Sequence, residues 1–348
     1  MLRRRTVSRL IAAAPLAPAA ARAQGSPPLT RIAFGSCADQ KDPQPIWDAI
    51  LGYRPDLFIF MGDNVYGDFN SEDAAGLRQA YAQAAKIEAY ARLMQTVPYL
   101  AVWDDHDYGS NDDGAAFRFK DVSKTEFLTF FRAGANDPRR AREGIYDSRI
   151  IGAPGYRVQV ILLDTRWFKS PWKPTDQRGA PGKERYVPDA DPAKTMLGDV
   201  QWDWLAAELR KPAEVRILVS SLQVLADGHG WERWGNFPLE REKLFRVIRE
   251  ARANGVVMIS GDRHIGALYR EKPDGLYPIT EVTSSGLNKA YWAANEPGPN
   301  RLGGLYAAPN FGVVEIDWWD KSITLALRDV GGTVRRSATL KADELLFT

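Results

Sequence analysis

The chain has 348 residues, 45% of them apolar and 26% charged, the balance of a globular protein and not of a disordered or membrane-spanning one. Its formal charge is +2, but five arginines and no acid fall within residues 1–23; the rest carries 41 basic against 44 acidic residues, a net −3. No concentrated basic stripe remains, which argues against a nucleic-acid-binding surface.

Residues 1–23 stand apart in composition. Arg3, Arg4, Arg5 and Arg9 come first, then an Ala/Pro/Leu stretch, then Ala21-Arg22-Ala23. That order predicts an export signal whose apolar part is too short to span a membrane. Arg4-Arg5-Thr6-Val7 resembles a twin-arginine signal, which makes the Tat export machinery a partner and the periplasm or the medium the destination. Residues 24–348 are expected to form one domain.

Apolar runs then alternate with amphipathic ones. Strands are predicted at 31–36, 56–61, 99–103, 157–163, 215–219 and 256–260, and helices at 45–52, 71–95, 126–133, 198–210 and 238–253. Strands at 277–283, 312–317 and 323–328 follow without helices between them and are expected to be antiparallel. This is an α/β chain with a mixed sheet system. The stretches 170–193 and 288–309, rich in Gly, Pro and Trp, read as long loops of the kind that tend to be functional. Trp167, Trp172, Trp231, Trp234, Tyr291 and Trp292 either pack such loops onto the core or wall a site for an apolar leaving group.

Only one cysteine and three histidines are present, and their positions carry the functional argument. Cys37 lies in Gly35-Ser36-Cys37-Ala38-Asp39, His106 in Trp103-Asp104-Asp105-His106-Asp107, and His264 in Ser260-Gly261-Asp262-Arg263-His264. Each follows an apolar run, as does Gly62-Asp63-Asn64-Val65-Tyr66. Ligands of open α/β sheets gather where strands end. A lone thiol is either a small buried apolar group or, bound to a metal, a protected thiolate. The three acids around His106 repel one another unless a cation, or solvent at a helix start, relieves them. A carboxylate such as Asp63 can bridge two ions, and a coordinating Tyr66 suits a strongly acidic metal such as ferric iron.

In this order the motifs Cys37-x-Asp39, Gly62-Asp63-x-x-Tyr66, Asp104-Asp105-His106-Asp107 and Gly261-Asp262-x-His264 resemble the alkaline phosphatase D (PhoD-like) family of the calcineurin-like metallophosphoesterases, relatives of the purple acid phosphatases. The resemblance extends over about residues 31–328 and includes Leu163-Asp164-Thr165-Arg166 and the segment from Trp234 to Arg241. It implies a four-layer α-β-β-α sandwich, two mixed sheets flanked by helices, with a dinuclear centre above the strand ends. Carried over, Cys37, Asp39, Tyr66 and His264 hold one ion, Asp63 bridges, and Asp105 and Asp262 hold the second. The implied metals are Fe3+ with Ca2+, alternatively Zn2+ or Mn2+. His106 would donate a hydrogen bond to the phosphoryl or leaving-group oxygen. The implied activity is hydrolysis of a small-molecule or lipid phosphate ester, as a phosphatase or phosphodiesterase. A phospholipase-type diesterase of the same fold and a non-catalytic binding protein are the alternatives.

The chain departs from the superfamily pattern in three places. Cys37-x-Asp39 stands for Asp-x-His, Asp105-His106 for Asn-His, and Ser220, Ser221 and Gln223 occupy the region where a histidine is expected after 215–219. His229 either replaces that histidine, binds substrate, or is a plain loop residue. Asn64 and Arg263, beside the expected ligands, are candidate phosphate contacts. Arg166 and Lys169 are equally suited to that role and to structural ion pairs.

Overall fold

The computed structural model describes residues 27–347; the expected export signal lies outside them. Its first half runs β1 (Arg31–Gly35), α1 (Ile46–Tyr53), β2 (Leu57–Met61), α2 (Ala75–Ala84), α3 (Glu88–Thr96), β3 (Tyr99–Val102), α4 (Asp105–Tyr108), α5 (Lys120–Phe130), β4 (Asp147–Ile151) and β5 (Val158–Leu162). The second half runs α6 (Gly198–Leu209), β6 (Val215–Val219), α7 (Pro238–Glu250), β7 (Val256–Ser260), β8 (Gly266–Glu271), β9 (Ile279–Ser284), β10 (Asn310–Asp317), β11 (Ser322–Asp329) and β12 (Val334–Lys341).

Among the described residues the strands form two six-stranded mixed sheets. One has the order β12-β11-β10-β1-β2-β3, the other β4-β5-β6-β7-β9-β8. β2, β5, β6 and β7 are buried at every position, as strands covered on both faces must be, which is why they read as continuous apolar runs. On one flank α1 packs against α3, on the other α6 against α7, and the sheets touch through β8, β9, β10, β11 and β12. The α/β sandwich of two mixed sheets with flanking helices is the fold expected.

Aromatic side chains fasten the first flank. The Trp47 ring on α1 meets Phe58 edge-on at 5.7 Å between centroids and Tyr90 of α3 at 5.0 Å. Burying each such side chain contributes ~1.5–3 kcal/mol. Phe34 of β1 lies across the strand pair from Gly312 of β10, and a Cβ at 312 would stand 2.1 Å from the Phe34 ring. Only glycine leaves room for the ring there.

Three expectations change. The helix expected over 71–95 is two, α2 and α3, because their apolar faces (Leu77, Ala80, Tyr81 and Ala84; Tyr90, Leu93 and Met94) pack against different partners, α5 and α1. The helix expected at 126–133 begins earlier, at Lys120. The strand at 277–283 does not join the other late strands. As β9 it runs parallel to β7 and antiparallel to β8 in the second sheet.

The topology aims both sheets at one place. β1, β2 and β3 are parallel neighbours in the first sheet, and β6, β7 and β9 in the second. A parallel bridge between Ser36, just past β1, and Ser285, just past β9, joins the sheets where these strands end.

Candidate metal centre

Each candidate ligand sits immediately after a strand. Cys37 follows β1, Asp63 follows β2, Asp104 to Asp107 follow β3, and Asp262 and His264 follow β7. The chain turns sharply at each point: Cys37, Asp63, Asp262 and His264 all have left-handed backbones, with φ of 62°, 46°, 64° and 57°. Such conformations are uncommon for side-chain-bearing residues and cluster at functional sites. At Gly62, φ is +96°, and a Cβ would stand 2.5 Å from that of Asp104, so this glycine brings the ends of β2 and β3 together.

The side chains converge in overlapping groups. Ligand atoms of Cys37, Asp63 and His264 lie within 4.8 Å of one another, as do those of Asp63, Asp105 and His106, of Asp104, Asp105 and Asp262, and of Asp105, Asp112 and Glu232. Asp63 therefore belongs to two groups and Asp105 to three. The Tyr66 hydroxyl is 3.1 Å from Asp63 Oδ2 and 3.3 Å from His264 Nε2, which puts Tyr66 with the first group. A cavity of about 270 Å3 opens beside these atoms, bordered by Asp63, Asp105, His106, Asp262 and His264.

The electrostatics are those of acids only partly matched by positive charge: burial opposes ionisation of Asp105 and Glu232, but Arg166, with His106 at the first and Lys169 at the second, holds both below the carboxylate range. Burial, then the charges of Asp105 and Cys37, push Asp63 well above the carboxylate range. Burial, then Glu232 and Asp104, does the same to Asp262. Burial raises Cys37 to about 11, and burial followed by the Asp63 charge lifts Tyr66. Burial and Arg263 take His264 down to about 4, leaving a neutral imidazole suited to a cation. Burial pulls against protonation of His106 as well, but Asp63, Asp105 and the contact with Asp68 outweigh it and raise it to about 11.

These residues fit metal ions by a separate criterion. Asp104 Oδ2 and Asp105 Oδ1 are buried and have no hydrogen-bond partner among the described residues. An orphaned buried acceptor costs about 1–3 kcal/mol, more when charged, and a cation removes that cost. The donors span thiolate, imidazole, phenolate and carboxylate. The acids after β3 do start a helix, Asp104 and Asp107 capping α4, but they are not solvated there, since Asp104, Asp105 and Asp107 are at most 2% exposed.

Three expected residues, Asp39, Asn64 and His229, stand differently, and a fourth, Arg263, stands at the cavity. The Asp39 carboxylate lies outside all four groups and pairs with Lys289 Nζ at 2.6 Å. Asn64 is buried and spends its amide on Val102 O at 2.8 Å and Asp107 Oδ2 at 2.6 Å, bracing the β2 and β3 ends instead of facing the cavity. His229 is buried with both ring nitrogens engaged, Nε2 with Gln223 Oε1 at 3.1 Å and Nδ1 accepting from the Trp231 backbone at 3.2 Å. It borders neither the cavity nor any ligand group. Arg263 does line the cavity, with Nη2 donating to Glu296 at 2.6 Å.

Arg166, Lys169, Asp112 and Glu232 complete the surroundings. Fully buried Arg166 donates from Nε to Asp104 Oδ1 at 2.5 Å and from Nη1 and Nη2 to Glu232 at 2.8 and 2.9 Å. It is a structural ion pair that neutralises part of the acid cluster. Lys169 Nζ donates to Asp112 O at 3.1 Å. Glu232, between Trp231 and Arg233 in sequence, has no motif to announce it. Asp112 could have been suspected from the run Asn111-Asp112-Asp113. Of the six loop aromatics, Trp167, Trp172 and Trp234 are core, Trp231 and Tyr291 border the cavity, and Trp292 is 72% exposed.

Comparison with known proteins bears on the family and the fold. The family model described as PhoD-like phosphatase matches residues 32–302. Alkaline phosphatase D of Bacillus subtilis (strain 168) is 23% identical over 242 residues, which cover 62% of this chain and 40% of that protein; the chain thus spans about two fifths of this curated relative. A solved structure of PhoD superposes with a TM-score of 0.69 at 16% identity, covering 93% of this chain and 72% of the other. The purple acid phosphatase PPD1 from yellow lupin (Lupinus luteus) seeds superposes with a TM-score of 0.62 at 13% identity, over 93% of this chain and 56% of that one. With strand-end motifs, fold and family match in accord, the chain belongs to the PhoD-like phosphatase family.

Proposed function

We propose that the protein is an exported, metal-dependent phosphoric ester hydrolase, a phosphatase or phosphodiesterase working at a dinuclear centre. The observation that supports it most is the sharing of Asp63 between the Cys37–His264 group and the Asp105–His106 group, as a carboxylate bridging two cations requires. Cys37, Tyr66 and His264 would hold one ion and Asp105 and Asp262 the other, with Asp104 beside them. The donor set suits Fe3+ at the first position and a hard ion such as Ca2+ at the second, with Zn2+ or Mn2+ as the alternative. Cations held by these residues would supply Lewis acidity toward the phosphoryl oxygens and a more acidic bound water.

The chain's own residues do the rest. Asp68 engages His106 Nδ1 at 2.6 Å, which leaves Nε2 as the nitrogen that donates to the phosphoryl or leaving-group oxygen. Arg166 restrains Asp104 and Glu232, so the acids keep their positions before cations arrive. Export through the twin-arginine route rests on the residue 1–23 composition, and it agrees with a centre that is loaded before translocation.

The test is hydrolysis of p-nitrophenyl phosphate and its bis ester by protein supplied with iron and calcium, beside Asp63→Ala. The proposal expects turnover by the wild type and loss of about two or more orders of magnitude in the variant; equal rates would remove the bridging role. Phenolate-to-iron absorption in the visible would accompany iron at Tyr66. A colourless, iron-free protein with full activity would transfer the assignment to zinc or manganese.

A further inference from the structure

Beside the Asp105, Asp112 and Glu232 group the cavity wall carries two guanidinium groups and two aromatic rings. Arg185, Trp231, Arg263 and Tyr291 border it there. The guanidinium carbons of Arg185 and Arg263 lie 5.1 and 4.9 Å from the same Trp231 ring, so one indole orients two cations. Arg263 is 6% exposed and is held by Glu296 through Nη2 at 2.6 Å, while its Nε has no hydrogen-bond partner among the described residues. A buried guanidinium donor left without an acceptor is costly. Arg185 is held by one nitrogen, Nη1 to Asp112 Oδ2 at 2.6 Å, and its side chain remains 30% exposed.

A neighbouring groove of about 620 Å3 shares His106, Asn111, Arg185 and His264 with the cavity and continues along Lys41 and Lys289. Its two acids are already committed, Asp39 to Lys289 and Asp68 to His106. Lys41, Arg185 and Lys289 outnumber Asp39 and Asp68 along the groove, with Arg185 itself paired to Asp112, and Arg185 stands where the groove meets the cavity. His106, the donor toward the leaving-group oxygen, borders both hollows, which makes this groove the path for the leaving group. A guanidinium fixed through one nitrogen still presents donors in the planar fork that matches an oxyanion.

We propose that Arg185, backed by Trp231 and Arg263, forms an anion subsite on the leaving-group side, so that the preferred phosphate ester carries a second oxyanionic group beyond the reacting phosphorus. The proposal takes the direction of the groove from the hydrolytic reading, but the subsite can be measured without turnover. Two non-hydrolysable phosphonates of matched chain, 3-phosphonopropionate with a carboxylate and propylphosphonate without one, are titrated calorimetrically into protein supplied with iron and calcium. Wild type, Arg185→Gln and Arg185→Lys are compared.

The expected result is that wild type binds the carboxylate-bearing probe about tenfold more tightly, that the preference falls to about twofold or less in Arg185→Gln, and that Arg185→Lys keeps part of it. The affinity ratio cancels any general loss of metal or fold in a variant, and chelation by the probe is common to all three proteins. A wild-type ratio near one, a ratio unchanged in Arg185→Gln, or binding of neither phosphonate overturns the subsite. Ester hydrolysis with a flat ratio would retain the hydrolytic reading and remove the subsite. A ratio dependent on Arg185 in a protein that hydrolyses nothing would do the reverse.

Discussion

At Cys37 the chain leaves β1 through a backbone with φ +62°, and this one turn decides which neighbours can be ligands. Two-residue spacing faces side chains alike only within a strand. Past the turn that rule lapses, so Asp39 swings to Lys289 while Cys37 stays with Asp63. Asp262 and His264 share the same spacing, yet they reach different ligand groups through two left-handed residues of their own. Residue types and strand ends were thus legible in the sequence, but the membership of Asp39 was not. Asp262 also carries a prediction. Burial, then Glu232, Asp104 and Asp105, disfavours its charge, so Asp262→Asn should stabilise chelator-treated protein by about 1 kcal/mol while reducing the gain on adding metal. Thermal unfolding with and without chelator measures both. An undiminished metal gain with no change in the chelated protein would contradict its place in the cluster.

Elements with strong apolar patterns could be read directly: β1, β2, β5, β6 and β7 fall where continuous buried runs occur. β12 could not, because its sequence is polar and its positions are mostly exposed, as befits the edge of a sheet. The tip between β2 and β3 depends on Gly62. Gly62→Ala should cost about 2–3 kcal/mol through its positive φ and the contact with Asp104, seen as a lower urea midpoint at unchanged slope. A variant as stable as wild type would show that the strand ends have room to part.

The segment after β6 supplies a pH prediction. Burial, then Arg263 and Arg233, lowers the pKa of His229 well below 6.5. Below pH ~6.5 the unfolded chain takes up a proton that the native imidazole refuses, so this contribution is fully present above that pH and lost as pH falls, by up to about 1.4 kcal/mol per unit. Between pH 7 and pH 5, His229→Gln should lose about 1–2 kcal/mol less stability than wild type in urea titrations. Equal losses would mean the imidazole accepts its proton in the folded state.

The whole molecule is two sheets closing on one centre. Cys37, Asp63 and Asp105 come from the first sheet, Asp262 and His264 from the second, and the Ser36–Ser285 bridge ties the seam beneath them. Pattern and periodicity indicated two kinds of strand set, but not that β9 would leave the late strands to lie beside β7 and bring Ser285 within 3.1 Å of Cys37 Sγ. That placement depends on long-range packing, which no local window records. Cations at the seam would join the two halves through Asp63 and Asp105. On the proposed function, these carboxylates, thiol, phenol and imidazole would form a cage for a pair of cations. Elemental analysis of the protein purified from its native compartment, with Asp63→Ala prepared in parallel, should find about two cations per chain in wild type and at most one in the variant; equal metal content in both, or none in a wild type that hydrolyses esters at full rate, would rule the cage out.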